Sequence, residues 1–246
     1  MAYLFVREDR EYLLSPGERL ETDLGILDVP EDVSPGETVD THLDTTFRVR
    51  KLRGPDLFHH LERTGAPMMP RDVGLVVGHT GVGREDRVLD AGTGTGVLAA
   101  YLGRLGAEVL TYEVDAEFAD VARQNIETAG VADSVEVRTG DVCEDVDDLA
   151  APGGGGFDVL TLDTADAPAV VERAPDLLVP GGVVAVYSPF VEDTRDVVET
   201  AREAGLGDVR ALETIQREMD VDERGSRPST AGVGHTGYLT FARNES

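Results

Sequence analysis

Residues 87–96 read Arg-Val-Leu-Asp-Ala-Gly-Thr-Gly-Thr-Gly. The apolar pair Val88 and Leu89 marks a short buried strand that stops at Asp90, and the periodic stretch Val97–Leu105 that follows reads as a helix. Between them Gly92, Gly94 and Gly96 stand at alternate positions. Lacking a Cβ, each can take positive φ and let a ligand lie against backbone N–H groups and the helix N-terminus. Strand, glycine loop and helix together describe a seat for a nucleotide-type cofactor.

The spacing and the residues downstream narrow the choice of cofactor. A dinucleotide fingerprint needs Gly-x-Gly-x-x-Gly, whereas Gly-x-Gly-x-Gly resembles motif I of the class I S-adenosylmethionine (SAM) methyltransferases. That resemblance implies a Rossmann-like, doubly wound α/β sheet, with Asp90, Gly92, Thr93, Gly94, Thr95 and Gly96 lining SAM. A second strand, 108–112, runs into Glu113, whose carboxylate can accept hydrogen bonds from both hydroxyls of a ribose. A third, 135–138, runs into Gly140 and Asp141; the family places an acid there against the adenine amino group. The glycines alone could merely turn a tight βα corner, but Glu113 and Asp141 in step with them favour SAM.

The chain has 246 residues, enough for a large domain with a smaller one. It contains no apolar run of membrane-spanning length and no basic-then-apolar leader, which implies a cytoplasmic protein without membrane contact. Cys143 is the only cysteine and reads as a small core residue, so an internal disulfide or a cysteine-based zinc site is excluded. His42, His59, His60 and His79 show no metal-ligand spacing. With 48 acidic residues against 22 basic ones the net charge is -26, and Lys51 is the sole lysine. Such self-repulsion is tolerable where salt screens it, which implies a halophilic setting. In that setting acidity no longer argues against an RNA partner, because the counterion-release contribution to binding has largely collapsed.

Residues 1–63 read as a small antiparallel β domain, with alternating stretches 12–14, 25–27 and 46–49 between Pro/Gly turns, and a short helix at 55–62. Arg48, Arg50, Lys51 and Arg53 could meet phosphates or form a solvated face. Residues 64–246 form the catalytic domain, beginning with a helix at 73–77. An acidic loop follows Asp141, and the glycine run 153–156 reads as a surface loop. Strand 157–162 ends at Asp163, at the carboxyl edge where open α/β sheets meet their ligands. Asp166 reads as the N-cap of a helix over 168–178. Pro180-Gly181-Gly182 turns into a strand at 183–187, and a helix at 193–204 and a strand at 209–215 lead to the tail.

The order of motifs resembles the TrmI family of tRNA (adenine-N1)-methyltransferases, archaeal branch, over nearly the whole chain. It rests on Thr22-Asp23-Leu24-Gly25, Pro70-Arg71-Asp72, Gly81, Asp90 to Gly96, Tyr112-Glu113, Gly140-Asp141, Leu162-Asp163, Tyr187-Ser188-Pro189, Arg227-Pro228 and, most specifically, His235-Thr236-Gly237-Tyr238-Leu239. The resemblance implies methyl transfer from SAM to N1 of a T-loop adenosine of tRNA, position 58 with 57 as a second candidate, by a homotetramer whose β domain helps hold the tRNA. Asp163 matches the family's catalytic aspartate and also borders SAM. Accepting a hydrogen bond from the adenine N6 amine, it would align N1 with the methyl group and stabilise the cationic product ring. Because N1 lies on the pairing edge, the base must leave its tertiary contacts.

Met69, Tyr187, Arg227 and His235 are the substrate-side candidates. Tyr187 could instead cap its strand, Arg227 could form a surface ion pair, and His235 could bond only to backbone. Two departures stand out: Met69 replaces the family's aromatic or histidine, and Thr164-Ala165 replaces a Leu-Pro-like pair after the aspartate. The competing reading is a SAM methyltransferase acting on protein isoaspartyl groups or a small molecule, which needs neither the β domain nor the His235 block. A non-catalytic SAM-binding subunit would be expected to have lost the glycine loop or Asp163, and both are present.

Overall fold

The computed structural model describes residues 1–150, 156–232, 234–235 and 237–246. The chain begins with strands β1 (Tyr3–Arg7), β2 (Arg10–Leu14), β3 (Arg19–Thr22), β4 (Gly25–Asp28), β5 (Thr38–Asp40) and β6 (Thr46–Lys51), then helices α1 (Gly54–His60) and α2 (Pro70–Thr80). Strands and helices then alternate: β7 (Arg87–Ala91), α3 (Val97–Leu105), β8 (Glu108–Glu113), α4 (Ala116–Ala129), β9 (Val135–Thr139), α5 (Val142–Leu149) and β10 (Phe157–Leu162). The last third holds α6 (Ala167–Glu172), α7 (Ala174–Leu177), β11 (Leu178–Ser188), α8 (Val191–Glu203), β12 (Gly207–Glu213), β13 (Met219–Asp222), β14 (Gly225–Pro228) and β15 (Tyr238–Arg243). No helix among the described residues is long and apolar enough to cross a membrane.

Two compact units emerge, and neither is continuous in sequence. The first joins Met1–Val73 to Thr93–Gly140. Its N-terminal part is an antiparallel sheet in the order β2-β1-β6-β5, with the hairpin β3–β4 beside it. Strand β1 is apolar on both faces because both are covered: Phe5 enters a core with Leu14, Leu27, Phe47 and Val49, while Leu4 packs with Ala2 and Leu52. Each such side chain contributes about 1.5–3 kcal/mol by leaving water. The sheet is tied to the helices of the same unit. Ala2 N–H donates to Thr128 O at 3.1 Å, and Arg104 of α3 reaches Leu52 O at 2.9 Å. Strands β8 and β9 pair in parallel, and α4 starts at Asp115, whose side chain accepts from the N–H groups of Glu117 and Phe118.

The second unit joins Gly74–Gly92 to Asp141–Ser246. Its strands run β12-β15-β11-β10-β7, with β10 parallel to both β7 and β11, and β15 antiparallel to both neighbours. After β8 and β9 the chain thus returns to lay β10 beside β7, the reversal that defines a doubly wound sheet. Buried Leu89, Leu160, Val184 and Phe241 fill its core.

Several elements depart from the sequence expectation. The acidic loop after Asp141 is helix α5, capped by Asp141, which accepts from Cys143 N–H at 2.8 Å. The helix expected over 168–178 breaks into α6 and α7 at Arg173, because Pro175 has no N–H to continue the ladder and its ring crowds the preceding turn. Asp166 does stand at the N-cap of α6, but its side chain makes no capping bond. Pro180-Gly181-Gly182 lies inside β11, where the register against β10 shifts. The hairpin β13–β14 was not expected at all, since its residues are nearly all exposed and give no apolar rhythm. Of the glycine run 153–156, residues 153–155 lie outside the described residues.

Candidate active site

In the second unit the end of β7 and the end of β10 are bound together. Asp163 N–H donates to Ala91 O at 2.8 Å. Asp90 is 3 % exposed, and its carboxylate accepts from the Thr161 hydroxyl. Gly92 has φ +89°, and a Cβ built on it would fall 2.0 Å from Asp163 O. The backbone at the end of β10 therefore leaves no room for a side chain at this position. Asp163 itself is accessible, yet enough protein surrounds its carboxyl to strip away much of its hydration. That desolvation first, and the charge of Asp90 second, push its pKa up to about 7. Among the described residues its carboxylate has no hydrogen-bond or ion-pair partner.

The first unit holds the rest of the loop. Gly94 N–H donates to Glu113 Oε2 at 2.9 Å and Asp115 N–H to Glu113 Oε1 at 3.1 Å. Glu113 is 8 % exposed, so its orientation is fixed before any ligand arrives. Each carboxylate oxygen keeps a second lone-pair direction for a hydroxyl donor. Gly94, with φ +51°, has nothing within 4 Å of where a Cβ would stand. Gly96 N-caps α3 with φ +75°, the backbone conformation that favours glycine, and a Cβ there would meet Ala122 of α4 only at ordinary contact distance. The hydroxyls of Thr93 and Thr111 share a bond of 2.5 Å, and the Thr93 backbone is engaged as well, its N–H donating to Tyr112 O at 3.2 Å and its carbonyl accepting from Gly96 N–H at 2.8 Å. Within the first unit, the open side at Gly94 and the fixed Glu113 suit a ribose-bearing cofactor.

Comparison with known proteins agrees with this reading. Residues 57–225 match the family described as tRNA methyltransferase complex GCD14 subunit. A tRNA (adenine(57)-N(1)/adenine(58)-N(1))-methyltransferase TrmI of Methanocaldococcus jannaschii is 33% identical over 98% of this chain and 95% of its own length. The chain belongs to this tRNA methyltransferase family. Its fold is that of the class I SAM methyltransferases: a SAM-dependent O-methyltransferase from Thermotoga maritima superposes with a TM-score of 0.78 at 25% identity, covering 98% of this chain and 92% of that one. The tRNA (m1A58) methyltransferase TrmI of Aquifex aeolicus shares the fold at a TM-score of 0.72 and 22% identity, over 99% and 96% of the two chains.

The remaining residues singled out in the sequence each make contacts of their own. Met69, 37 % exposed, accepts at its backbone from Asp72 and Val73 at the start of α2. Tyr187 lies near the end of β11 opposite Leu239, and its ring fills the place a Cβ on Gly237 would need, 2.5 Å from its Cζ. His235 is engaged at both ring nitrogens, with Glu213 Oε1 at 3.2 Å and Pro189 O at 3.1 Å, and packs on the Tyr238 ring. Arg227 stands on β14, ion-paired with Asp220 at 3.5 Å. Asp141 spends one oxygen on its cap. Of the conspicuous cations in β6, Arg50 is paired with Glu11 and Asp56.

Two residues that shape the site escaped sequence reasoning. Thr161 holds Asp90 from inside β10, and Asn125 holds the glycine loop from α4. Asn125 Nδ2 donates to Thr95 O and to Glu62 O, both at 2.8 Å, and its Oδ1 accepts from Glu62 N–H at 3.0 Å. The available signal was a polar residue on the apolar face of α4, four positions before the buried Ala129. Cys143 is half-buried, and burial first and Asp141 second push its thiol up to about 11, which keeps it unreactive.

Proposed function

We propose that the protein transfers a methyl group from SAM to N1 of a T-loop adenosine of tRNA, at position 58 and, as in the methanogen relative, 57. The observation that carries the mechanism is Asp163: a carboxylate at the end of β10 with no partner of its own and a pKa pushed up to about 7. When bound, SAM supplies the electrophilic methyl group on a positively charged sulfur. Glu113 receives the ribose hydroxyls, Asp141 faces the adenine, and the backbone at Gly94 lies along the cofactor. Asp163 accepts from the N6 amine of the target base, turns N1 toward the methyl group and stabilises the charge that develops on the ring. Met69, Tyr187, Arg227 and His235 border the base and its strand, His235 by holding the segment after β11 in place.

The test is methyl transfer from labelled SAM to unmodified tRNA in molar potassium chloride, with the product nucleosides separated. Label in 1-methyladenosine is expected. Label elsewhere, or none in tRNA while SAM still binds, overturns the assignment.

The finer expectations remain part of the same proposal: a β domain at 1–63 that helps hold tRNA, a catalytic domain at 64–246, a homotetramer, and a cytoplasmic life in high salt. Support for assembly comes from the hairpin β13–β14. Ile215, Met219 and Val221 on and beside it are 67, 55 and 74 % exposed. A two-stranded hairpin is marginal alone, and clustered exposed apolar groups are usually covered by another surface. Net charge and the single lysine support the salt requirement.

A further inference from the structure

In the unit of Met1–Val73 and Thr93–Gly140, a recess of about 490 Å3 is lined by, among others, Lys51, Arg53, Arg104, Gly130, Asp133 and Ser134. We propose that it binds a phosphate-class anion, and that the anion is a backbone phosphate of the tRNA. Lys51 ends β6, Arg53 follows two residues later just before α1, and Arg104 lies in the last turn of α3, so two segments far apart in sequence deliver the three cations. In a chain of net charge -26 such a gathering is unusual. Arg50 takes the nearby Glu11 and Asp56, and among the described residues Lys51 and Arg53 are exposed without an ion pair.

Arg104 is held in place by carbonyls. Its NH1 donates to Leu52 O at 2.9 Å, while Nε and NH2 share Ala129 O at 3.3 and 3.0 Å. Of a guanidinium's five N–H groups this occupies three and leaves two. Burial holds its pKa below the ordinary value, with Arg53 adding to the effect and Asp56 opposing it. Cations so arranged repel one another, and an oxyanion between them relieves the repulsion. The fork of Arg matches phosphate, and the lining includes no aromatic ring on which a base could stack. Asp133 is the only carboxylate of the lining.

The inference rests on the tRNA reading, so wild-type methyl transfer to tRNA is measured first; its absence refutes that reading rather than the recess. Given that activity, binding of unmodified tRNA to the full chain is followed over a series of salt concentrations in which circular dichroism shows every variant folded. Lys51→Glu/Arg53→Glu is expected to weaken tRNA binding about tenfold or more and to lower the salt slope by about one to two. It should raise KM for tRNA while leaving kcat at saturating tRNA and SAM affinity unchanged. Asp133→Asn is expected to tighten tRNA binding a few-fold, a gain that misfolding cannot imitate. Affinity and slope equal to wild type in both variants overturn the proposal. Inorganic phosphate that binds wild type and not the charge-reversed variant, while tRNA affinity is unaltered, overturns the tRNA source and leaves a site for a free anion.

Discussion

Glu113 and Asp163 each stand at the end of a parallel strand, β8 and β10, and the protein treats the two carboxylates in opposite ways. Glu113 is buried, with each oxygen accepting a backbone N–H, from Gly94 and from Asp115. Asp163 is accessible but poorly hydrated, lies near the charge of Asp90, and has no compensating donor among the described residues. One acid is completed by the fold, and its task is to hold geometry. The other is left incomplete, and its ionised form is stabilised only when a donor or a cation arrives. A satisfied carboxylate suits binding; an unsatisfied one suits charge that appears during a reaction.

The sharpest way to break this contrast is to delete each carboxylate in turn. Asp163→Ala is expected to lower methyl transfer about 10²–10³-fold, as for the loss of a contact that strengthens in the transition state, with SAM affinity by calorimetry nearly unchanged. Equal losses in binding and rate would merge its role with that of Glu113. Glu113→Ala is expected to weaken SAM binding about tenfold to a hundredfold and also to lower Tm, because the Gly94 and Asp115 N–H groups lose their acceptor. SAM affinity equal to wild type would remove the ribose assignment.

Acidity sharpens the contrast further. Asp163 must be ionised to accept from the amine and oppose positive charge, so kcat/KM should fall as pH drops below about 7, by about tenfold per unit. The Asp163→Asn variant should lack that limb of the profile. The smallest effect is on stability. A carboxyl whose folded pKa lies near 7 against about 3.9 unfolded binds its proton more tightly when folded. Its contribution therefore becomes less favourable as pH rises from about 4 to 7. Thermal scans should show Tm of Asp163→Asn gaining on wild type by a few degrees over that window. A constant difference would mean that Asp163 titrates normally.

The parts of this fold that announce themselves in sequence are those buried on both sides. Strands β7 and β10 are short apolar runs with an acid at or beyond the end, and the glycines between β7 and α3 punctuate them. What escaped notice lacks that contrast with water. Helix α5 hides in a run of acids, although Val142, Val146 and Leu149 keep helical spacing behind them. Hairpin β13–β14 alternates nothing, because its side chains are nearly all exposed. At the site, residue types were legible and their division of labour was not. Three glycines look equivalent in the motif, yet Gly92 yields to Asp163 O, Gly96 turns the chain into α3 at positive φ with Ala122 at ordinary contact distance, and Gly94 opens to free space. Such differences depend on which strand or helix arrives from far along the chain.

Asn125 bears on how separable the parts of this protein are. Read from sequence alone, the chain invites a cut near residue 63, where a protein engineer would separate the N-terminal β region to move it onto another enzyme. The side chain of Asn125 crosses that point: its Oδ1 accepts from Glu62 N–H, and its Nδ2 donates to the carbonyls of both Glu62 and Thr95. A chimera cut there would have to bring a matching asparagine on α4, or the loop at Thr95 would lose one of its moorings. Modularity in this chain is thus set by an amide in the middle of its sequence, and swaps that inherit Glu62 and Asn125 as a pair are the ones to build.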